Sequence, residues 1–416
     1  MKKLLLFTAL GLSMAVSYAG GYRVSLQGQK ALAMGHTGVA VINSSESVFF
    51  NPASLVYLED RLNISAGVSG VFSNIAYQDT ETGASAKSDS PMGTPLYLYA
   101  SYKANEWLAF GLGVYTPYGS EVKYEDDWAG SHLVNRIELQ AIYIQPTVSF
   151  KVNDMLSFGG GPIYATGSVN FNRNLNRTLT DLEGNRTNVT VDASGISSWG
   201  WVASTLFSPT ENLRIGATYR SQIDMDADDG TAKFENVPNS PLTPFQNTSI
   251  KAGLPMPAEM TVGLSYEFRD KWLFAFDFNR NFWDAYESLD IDFADPNIPD
   301  SKNARNYKNS SIYRFGMQYD ATQMFTLRAG YYFDESPVRE GYFAPETPRN
   351  DSNNFTAGFT VNLNSHFQID ASFLYSHFKE VNASYDYYFE NGVAVPFKGT
   401  YKTNAFVPGL GLTYKL

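Results

Sequence analysis

The stretch SPTENLRIGATYR, residues 208–220, opens on a short polar turn and then alternates without a break. Leu213, Ile215, Ala217 and Tyr219 fall on one side, and Arg214, Gly216, Thr218 and Arg220 on the other. Successive side chains of a strand point to opposite faces, so a period of two marks a β-strand with one apolar and one polar face. Working outward, the pattern returns in both directions. Leu62, Ile64, Ala66 and Val68 share a face near the start, as do Trp272, Phe274, Phe276 and Phe278 further on, then Phe325, Leu327, Ala329, Tyr331 and Phe333. Phe367, Ile369, Ala371, Phe373 and Tyr375 repeat it, and Phe406, Leu410, Leu412, Tyr414 and Leu416 carry it to the last residue. These faces are apolar and aromatic enough to meet lipid.

The links between strands are of two kinds, in strict alternation. Short ones stand at Asn105-Glu106, Asn153-Asp154, Ser208 to Glu211, Arg269 to Lys271, Asp320 to Thr322 and Asn364-Ser365. Long polar ones run over 79–91, 118–134, 173–188, 227–257, 293–306, 334–351 and 386–400. Outer-membrane barrels have short periplasmic turns, long external loops and an even number of strands. The expectation is an all-β fold, a transmembrane antiparallel β-barrel of about fourteen strands with both chain ends on the periplasmic side.

Composition fits this class. The 416 residues include 27 Tyr and 29 Phe but no Cys, so neither disulfides nor thiolate metal sites are available. Residues 1–19 read as a secretory signal peptide: Lys2-Lys3, an apolar run from Leu4 to Val16, then Ser17-Tyr18-Ala19 as a small-residue cleavage site. After it, no apolar run reaches the roughly 18 residues of a membrane-spanning helix. Removing Lys2 and Lys3 with the leader takes the net charge from −11 to −13. Such an acidic chain lacks the basic footprint that a nucleic-acid partner requires.

About fourteen strands enclose a lumen too wide for their own side chains to fill. Residues 20–58 are the natural plug: they do not alternate, they are rich in small residues (Gly28, Ala31, Ala33, Gly35, Gly38, Ala40), and they precede the first strand. The expected organisation is a signal peptide over 1–19, a plug or hatch over 20–58 and the barrel over 59–416. Asn51-Pro52-Ala53 closes the plug, with Pro fixing a corner and Asn tolerating unusual backbone angles.

At this point the residues resemble a known family, the outer-membrane transporters of long-chain fatty acids and other hydrophobic compounds (the FadL/TodX type). The resemblance is carried by Gly28, Met34-Gly35, Thr37-Gly38-Val39-Ala40 and Asn51-Pro52-Ala53 in the plug, by Trp199-Gly200-Trp201, and by Leu213 to Ser221. Leu254-Pro255 to Tyr266, Trp283, Tyr313-Arg314 and Asp334 to Val338 continue it, so it covers nearly the whole mature chain. It implies passive, non-enzymatic uptake in the outer membrane of a Gram-negative cell, most readily of long-chain fatty acids. External loops catch the ligand, an apolar pocket holds it, the hatch shifts, and the ligand leaves through a wall opening at a kinked third strand. The matching stretch is Leu112 to Gly119, with Gly113, Pro117, Tyr118 and Gly119 as the kink, where Pro removes a ladder donor and Gly lets the strand bend. The partners implied are a hydrophobic small molecule and outer-membrane lipid, with the protein acting as a monomer and without cofactor or metal. The loop 173–188 is shorter than the family's usual landing groove, which leaves Phe234, Leu242, Phe245 and Leu254 in 227–257 to take that task.

For the ligand itself, alternation turns Arg220, Arg314 and Arg328 toward the lumen, and an arginine fork suits a carboxylate. Arg314 and Arg328 flank a short turn and are expected near each other, with mutual pairing to inward Asp277 and Asp370 as the plainer role. Ile142 and Ile144 lie where both faces of a strand become apolar, a hint of a greasy interior. Enzyme signals are poor: His36, His132, His366 and His377 are scattered, and no HExxH, nucleophile elbow or phosphate loop occurs. Two other readings are a general porin for polar solutes, with a wet lumen, and a surface adhesin or receptor built on the long acidic loops.

Overall fold

The computed structural model describes residues 21–241 and 243–416; the expected leader lies outside them, as does Leu242. Among the described residues, fourteen antiparallel strands close on themselves. They are β1 (Leu62–Ser69, continued by Phe72–Gln78), β2 (Leu96–Asn105), β3 (Leu108–Lys123), β4 (Arg136–Asn153), β5 (Leu156–Asn174), β6 (Asn188–Phe207) and β7 (Leu213–Arg220, continued by Ile223–Glu235). The ring goes on through β8 (Thr248–Met256 and Glu259–Phe268), β9 (Trp272–Asn281), β10 (Ser310–Asp320), β11 (Phe325–Asp334), β12 (Ser352–Asn362), β13 (Phe367–Phe378) and β14 (Phe397–Lys415). Closure falls on β1, where Ile64 stands opposite Ala100 of β2 on one side and Tyr414 of β14 on the other. A closed ring leaves no unpaired edge, the condition for strands in lipid.

The alternation read from the sequence faces as expected. On β14, Phe406, Leu410 and Leu412 are exposed outward while Ala405, Val407 and Thr413 are buried. From Phe406 to Tyr414 the strand covers about 27 Å at roughly 3.3 Å per residue, or about 20 Å of height at a 40° tilt, close to the apolar band of such barrels. Phe274, Phe315, Phe355 and Phe373 are likewise exposed around the ring. So many exposed aromatics are at rest only in lipid.

Several strands run further than their polarity announced. The expected long loop 227–257 is mostly strand, Ile223–Glu235 and Thr248–Met256, leaving 236–247 as the connection. Met225, Ala227, Ala232 and Phe234 are buried at alternate positions, with a bulge between Ala227 and Gly230 restoring the phase. The exposed outward residues Asp224 and Asp226 stand above the lipid and gave that stretch its loop-like polarity. Likewise 118–134 begins as the upper end of β3.

The lumen is filled at two heights. Residues 21–57, with short helices Gln29–Ala33 (α1) and Ser47–Phe50 (α2) and a 3₁₀ turn Pro52–Tyr57, are almost all buried inside the ring. Above them the loops fold inward on an aromatic cap of Tyr77, Tyr124, Trp128, Phe343, Phe397 and Tyr401. Leu410→Arg, near the middle of the outward band, is expected to cost about 2–4 kcal/mol in urea unfolding from lipid vesicles. A cost below about 0.5 kcal/mol would mean that this face does not meet the hydrocarbon.

Candidate functional site

The N-terminal plug rests on the wall backbone to backbone. A Cβ on Gly216 would lie 2.0 Å from the Val39 carbonyl oxygen, one on Gly330 2.1 Å from the Gly35 nitrogen, and one on Gly316 2.3 Å from the Met34 oxygen. One on Gly159 would lie 2.4 Å from the Ala53 nitrogen, so the wall is bare where the plug leans on it. Hydrogen bonds lock the fit. The Asp277 carboxylate on β9 accepts the Gly38 and Val39 N–H groups at 2.8 and 3.2 Å. Thr356 on β12 accepts the Gly35 N–H at 2.8 Å.

Asn51-Pro52-Ala53 is held mainly by wall side chains. The Asn51 amide donates to the Val39 and Thr205 carbonyls at 2.5 and 3.0 Å. The Ala53 N–H donates to Ser204 Oγ at 3.0 Å, and its carbonyl accepts from Ser149 at 3.1 Å and Ser157 at 2.7 Å.

The opposite end of the plug is attached differently. The ladder from β2 to β3 ends at Tyr97 opposite Tyr115, and a bulge follows in the β3–β4 pairing between Tyr115 and Tyr118. From Tyr115 to Val122 the alternation stops and every residue is buried. The plug supplies the missing neighbour: the Val24 N–H donates to the Pro117 carbonyl at 2.8 Å and the Gly119 N–H to the Tyr22 carbonyl at 2.9 Å. Tyr118 donates to the Pro257 carbonyl at 3.1 Å. Lower on the same strand Gly113 faces α2, where a Cβ would sit 3.0 Å from Val48 Cγ1.

Beside this arm lies an ionic knot that the sequence did not disclose. Arg23 Nη2 donates to Glu259 Oε2 at 2.9 Å, and Arg220 holds the other oxygen of the same carboxylate. Arg220 also donates to the Phe49 carbonyl at 3.2 Å and covers the Phe49 ring at 4.5 Å. It is thus committed to Glu259 and the plug rather than to Asp277 or Asp370. The available signal was Glu259 itself, a carboxylate at the inward phase of a strand whose alternate residues are Met260, Val262 and Leu264.

Arg314 and Arg328 do not converge. Arg314 pairs with Tyr332 across the ladder and Arg328 with Gln318, with Gly316 opposite Gly330 between them. Met34-Gly35 of the plug lies on those two glycines, so one arginine stands above the plug segment and the other below it. Arg328 donates to Gln318 at 2.8 Å and Thr360 at 2.5 Å, while Arg314 leaves Nε and Nη2 without a partner among the described residues. Ile142 and Ile144 correct another expectation: both point outward, because Leu139, Ala141, Tyr143 and Gln145 hold the inward phase of β4. Phe245 is half-buried against Phe234 at 5.5 Å and packs on the same cluster as the cap.

Between cap and plug is a narrow apolar cavity of about 60 Å³. Tyr22, Leu139, Ile196, Met225, Leu254 and Leu289 form its walls, and no lysine or arginine is among the lining residues. Its one carboxylate, Glu346, is paired with Arg305. Beneath the plug a polar vestibule of about 880 Å³ opens to the periplasmic end, lined by Lys30, Arg214, Arg328, Lys415, Glu267 and Asp320 among others. In the cap, burial pushes the His132 imidazole down to about 4, with Arg173 and Arg177 adding to the effect and Glu390 opposing it.

Removing one partner from a buried ion pair costs about 3–5 kcal/mol, since the other charge stays buried. Glu259→Gln would strand two guanidiniums and loosen the arm, so single-channel conductance in planar bilayers is expected to rise; a trace like the parent's would show that the knot does not hold it. For His132 the folded pKa lies below the ordinary 6.5. Its contribution is present in full above about pH 6.5 and fades as pH falls toward 4. Proteolysis of the external loops is therefore expected to speed up over that interval, and His132→Phe to flatten the dependence. An unaltered profile in the variant rules the imidazole out.

With fold and site in place, comparison with known proteins is direct. A family model described as outer membrane protein transport protein (OMPP1/FadL/TodX) matches residues 11–416. Outer membrane protein P1 of Haemophilus influenzae is 25% identical over 99% of this chain and 98% of its own. The long-chain fatty acid transport protein of Escherichia coli K12 is 23% identical over 90% of this chain and 93% of its own. Among solved structures, a Pseudomonas aeruginosa FadL homologue shares the fold at a TM-score of 0.80, with 19% identity over 95% of this chain and 100% of its own. The Pseudomonas putida toluene transporter TodX does so at 0.73, with 17% identity over 96% and 99%. The chain belongs to the OMPP1/FadL/TodX family of outer-membrane transport proteins for hydrophobic compounds, which are channels and not enzymes.

Proposed function

We propose that this protein is a passive route for long-chain fatty acids and similar hydrophobic molecules, working as a single chain. The ligand lodges by widening the apolar cavity under the cap, which at about 60 Å³ is closed to an acyl chain in this state, with Phe234 and Phe245 near its outer approach. The observation that carries this reading is the double engagement of Tyr22. Its ring is part of the cavity wall, and its carbonyl holds the unpaired edge of β3 through Gly119. A ligand that displaces Tyr22 therefore widens the cavity and frees that edge in one movement. The exit is the wall at Thr116 to Gly119, directly above Gly113, where β2 no longer pairs with β3. Asn51-Pro52-Ala53, fixed to β5 and β6, is the pivot on which the arm swings. The cavity offers no cation for a carboxylate, which favours a second substrate class, neutral hydrocarbons, alongside the acids. A polar-solute porin sits poorly with a lumen filled by plug and cap.

Mass spectrometry of the protein purified in mild detergent, with titration of palmitic acid against hexadecane, tests both substrate classes. A stoichiometric acyl ligand displaced by either competitor is the expected result. An empty lumen indifferent to both would sink the reading in favour of a porin.

A further inference from the structure

The wall has a second interruption, between β6 and β7. Their ladder runs from Phe207 opposite Ile215 to Val202 opposite Arg220, and resumes only at Asp192 opposite Thr231. In the interval the Ser221 N–H still donates to the Trp201 carbonyl at 3.0 Å. Neither strand has lost its form. Through the same interval each strand stays paired on its other side, β6 with β5 (Ile196 opposite Gly167) and β7 with β8 (Ile223 opposite Met256), with one bulge in each, between Ala193 and Ile196 and between Ala227 and Gly230. The failure belongs to this seam.

What lies on each side of the seam is informative. Inside, Ile196, Met225 and Ala227 are walls of the apolar cavity. Side chains rather than a ladder close the gap: Ile223 Cγ1 fills the space at Gly200, 2.5 Å from where a Cβ would be, and Met225 Cε lies 3.3 Å from the same position on Gly167. Outside and below, Trp201 and Trp199 are 50% and 66% exposed and pair with Tyr219 and Tyr164 at 5.3 and 5.0 Å. Such aromatics mark the membrane–water interface. Outside and above, Asp224 and Asp226 are exposed, while Asp228 is held by Lys251 at 3.1 Å. The direct path from outside down the axis is meanwhile filled by the aromatic cap around Trp128.

We propose that the β6–β7 seam is a side entrance, through which neutral hydrophobic molecules pass from the outer interface of the membrane into the cavity, with Ile223 and Met225 as the gate. Unbranched Met moves between rotamers easily, and no backbone bond has to break for either side chain to swing aside. The carboxylates on the rim repel anions, so the entrance favours an uncharged molecule over a carboxylate. This rests on the reading of the cavity as the ligand's resting place.

Counting from Asp192 opposite Thr231, with one bulged residue on each strand, brings Ser197 level with Asp226, both exposed, so Ser197→Cys with Asp226→Cys gives a staple that a reductant reopens. Ala203→Cys with Tyr219→Cys, within the intact ladder, is the control. The full chain in vesicles is exposed to a diazirine-bearing hexadecane, photolysed and mapped by peptide. With the staple open, label is expected on Ile196, Met225 and Leu254; closing it should cut that label about tenfold, with recovery on reduction and no effect from the control. On the parent chain, which keeps Asp226, the matching diazirine acid is expected to label several-fold less than the hexadecane probe, and equal labelling would refute the role of the acidic rim. If the entrance alone is wrong, Leu254 is labelled equally with the staple open or closed. If the cavity reading is wrong as well, Leu254 and Tyr22 stay unlabelled in both states.

Discussion

The constraint on which this structure depends is that a ring of fourteen strands has a bore its own side chains do not fill. The protein meets it by pressing a second piece of backbone against the inside of the wall. Contact at that distance leaves no room for a Cβ, hence the bare positions at Gly159, Gly216, Gly316 and Gly330. Glycine weakens a strand by entropy and missing side-chain contact. Here the loss is offset from inside, because the plug packs where the wall is bare and the wall's own pairing stays continuous there, as at Gly316 opposite Gly330. Plug and wall are therefore complementary surfaces.

Fastening along the plug is uneven. Asn51 to Ala53 is joined to β4, β5 and β6 through Ser149, Ser157, Ser204 and Thr205. Tyr22 to Val24 has two backbone bonds to β3, a hydrogen bond from the Tyr22 hydroxyl to the Pro255 carbonyl and the buried link from Arg23 to Glu259. Neutral hydrogen bonds contribute about 0.5–1.5 kcal/mol each, and a buried ion pair gains little net free energy over its desolvation. The arm differs in kind, because its backbone bonds complete the wall's own ladder, and it is the end that borders the cavity.

Much of the architecture was legible because lipid imposes a simple rule on outward residues. Leu213, Ile215, Ala217 and Tyr219 had to be apolar together, and the turns had to sort by length. Where that rule stops, reading failed: above the membrane the outward positions of β7 become Asp224 and Asp226, and a strand looks like a loop. Around Leu139 to Ile144 both faces are apolar, so composition does not tell inside from outside and phase alone decides. Height is harder still. Arg314 and Arg328 were correctly turned inward, but only the cross-strand register and the position of Met34-Gly35 reveal that the plug stands between them. The link from Arg23 to Glu259 joins residues 236 positions apart, beyond any local pattern.

The breaks in the wall follow from the same logic. A barrel that carried an unbroken ladder at every height would seal the apolar cavity from lipid, leaving a route only along its axis. That axis is occupied twice, by the cap and by the plug. An unpaired backbone edge in hydrocarbon is costly, so a break is tolerated only where something else covers it. At β3 the cover is the plug's own arm, which completes the missing ladder. At the β6–β7 seam the interruption starts within the Trp199–Trp201 girdle and runs up from it, at the level of the membrane–water interface. One break is sealed by hydrogen bonds and the other by two side chains, and both adjoin a cavity that has Tyr22 on one wall and Met225 on another. For an apolar molecule that partitions into membranes, openings in the wall are a more direct connection than a pore along the axis.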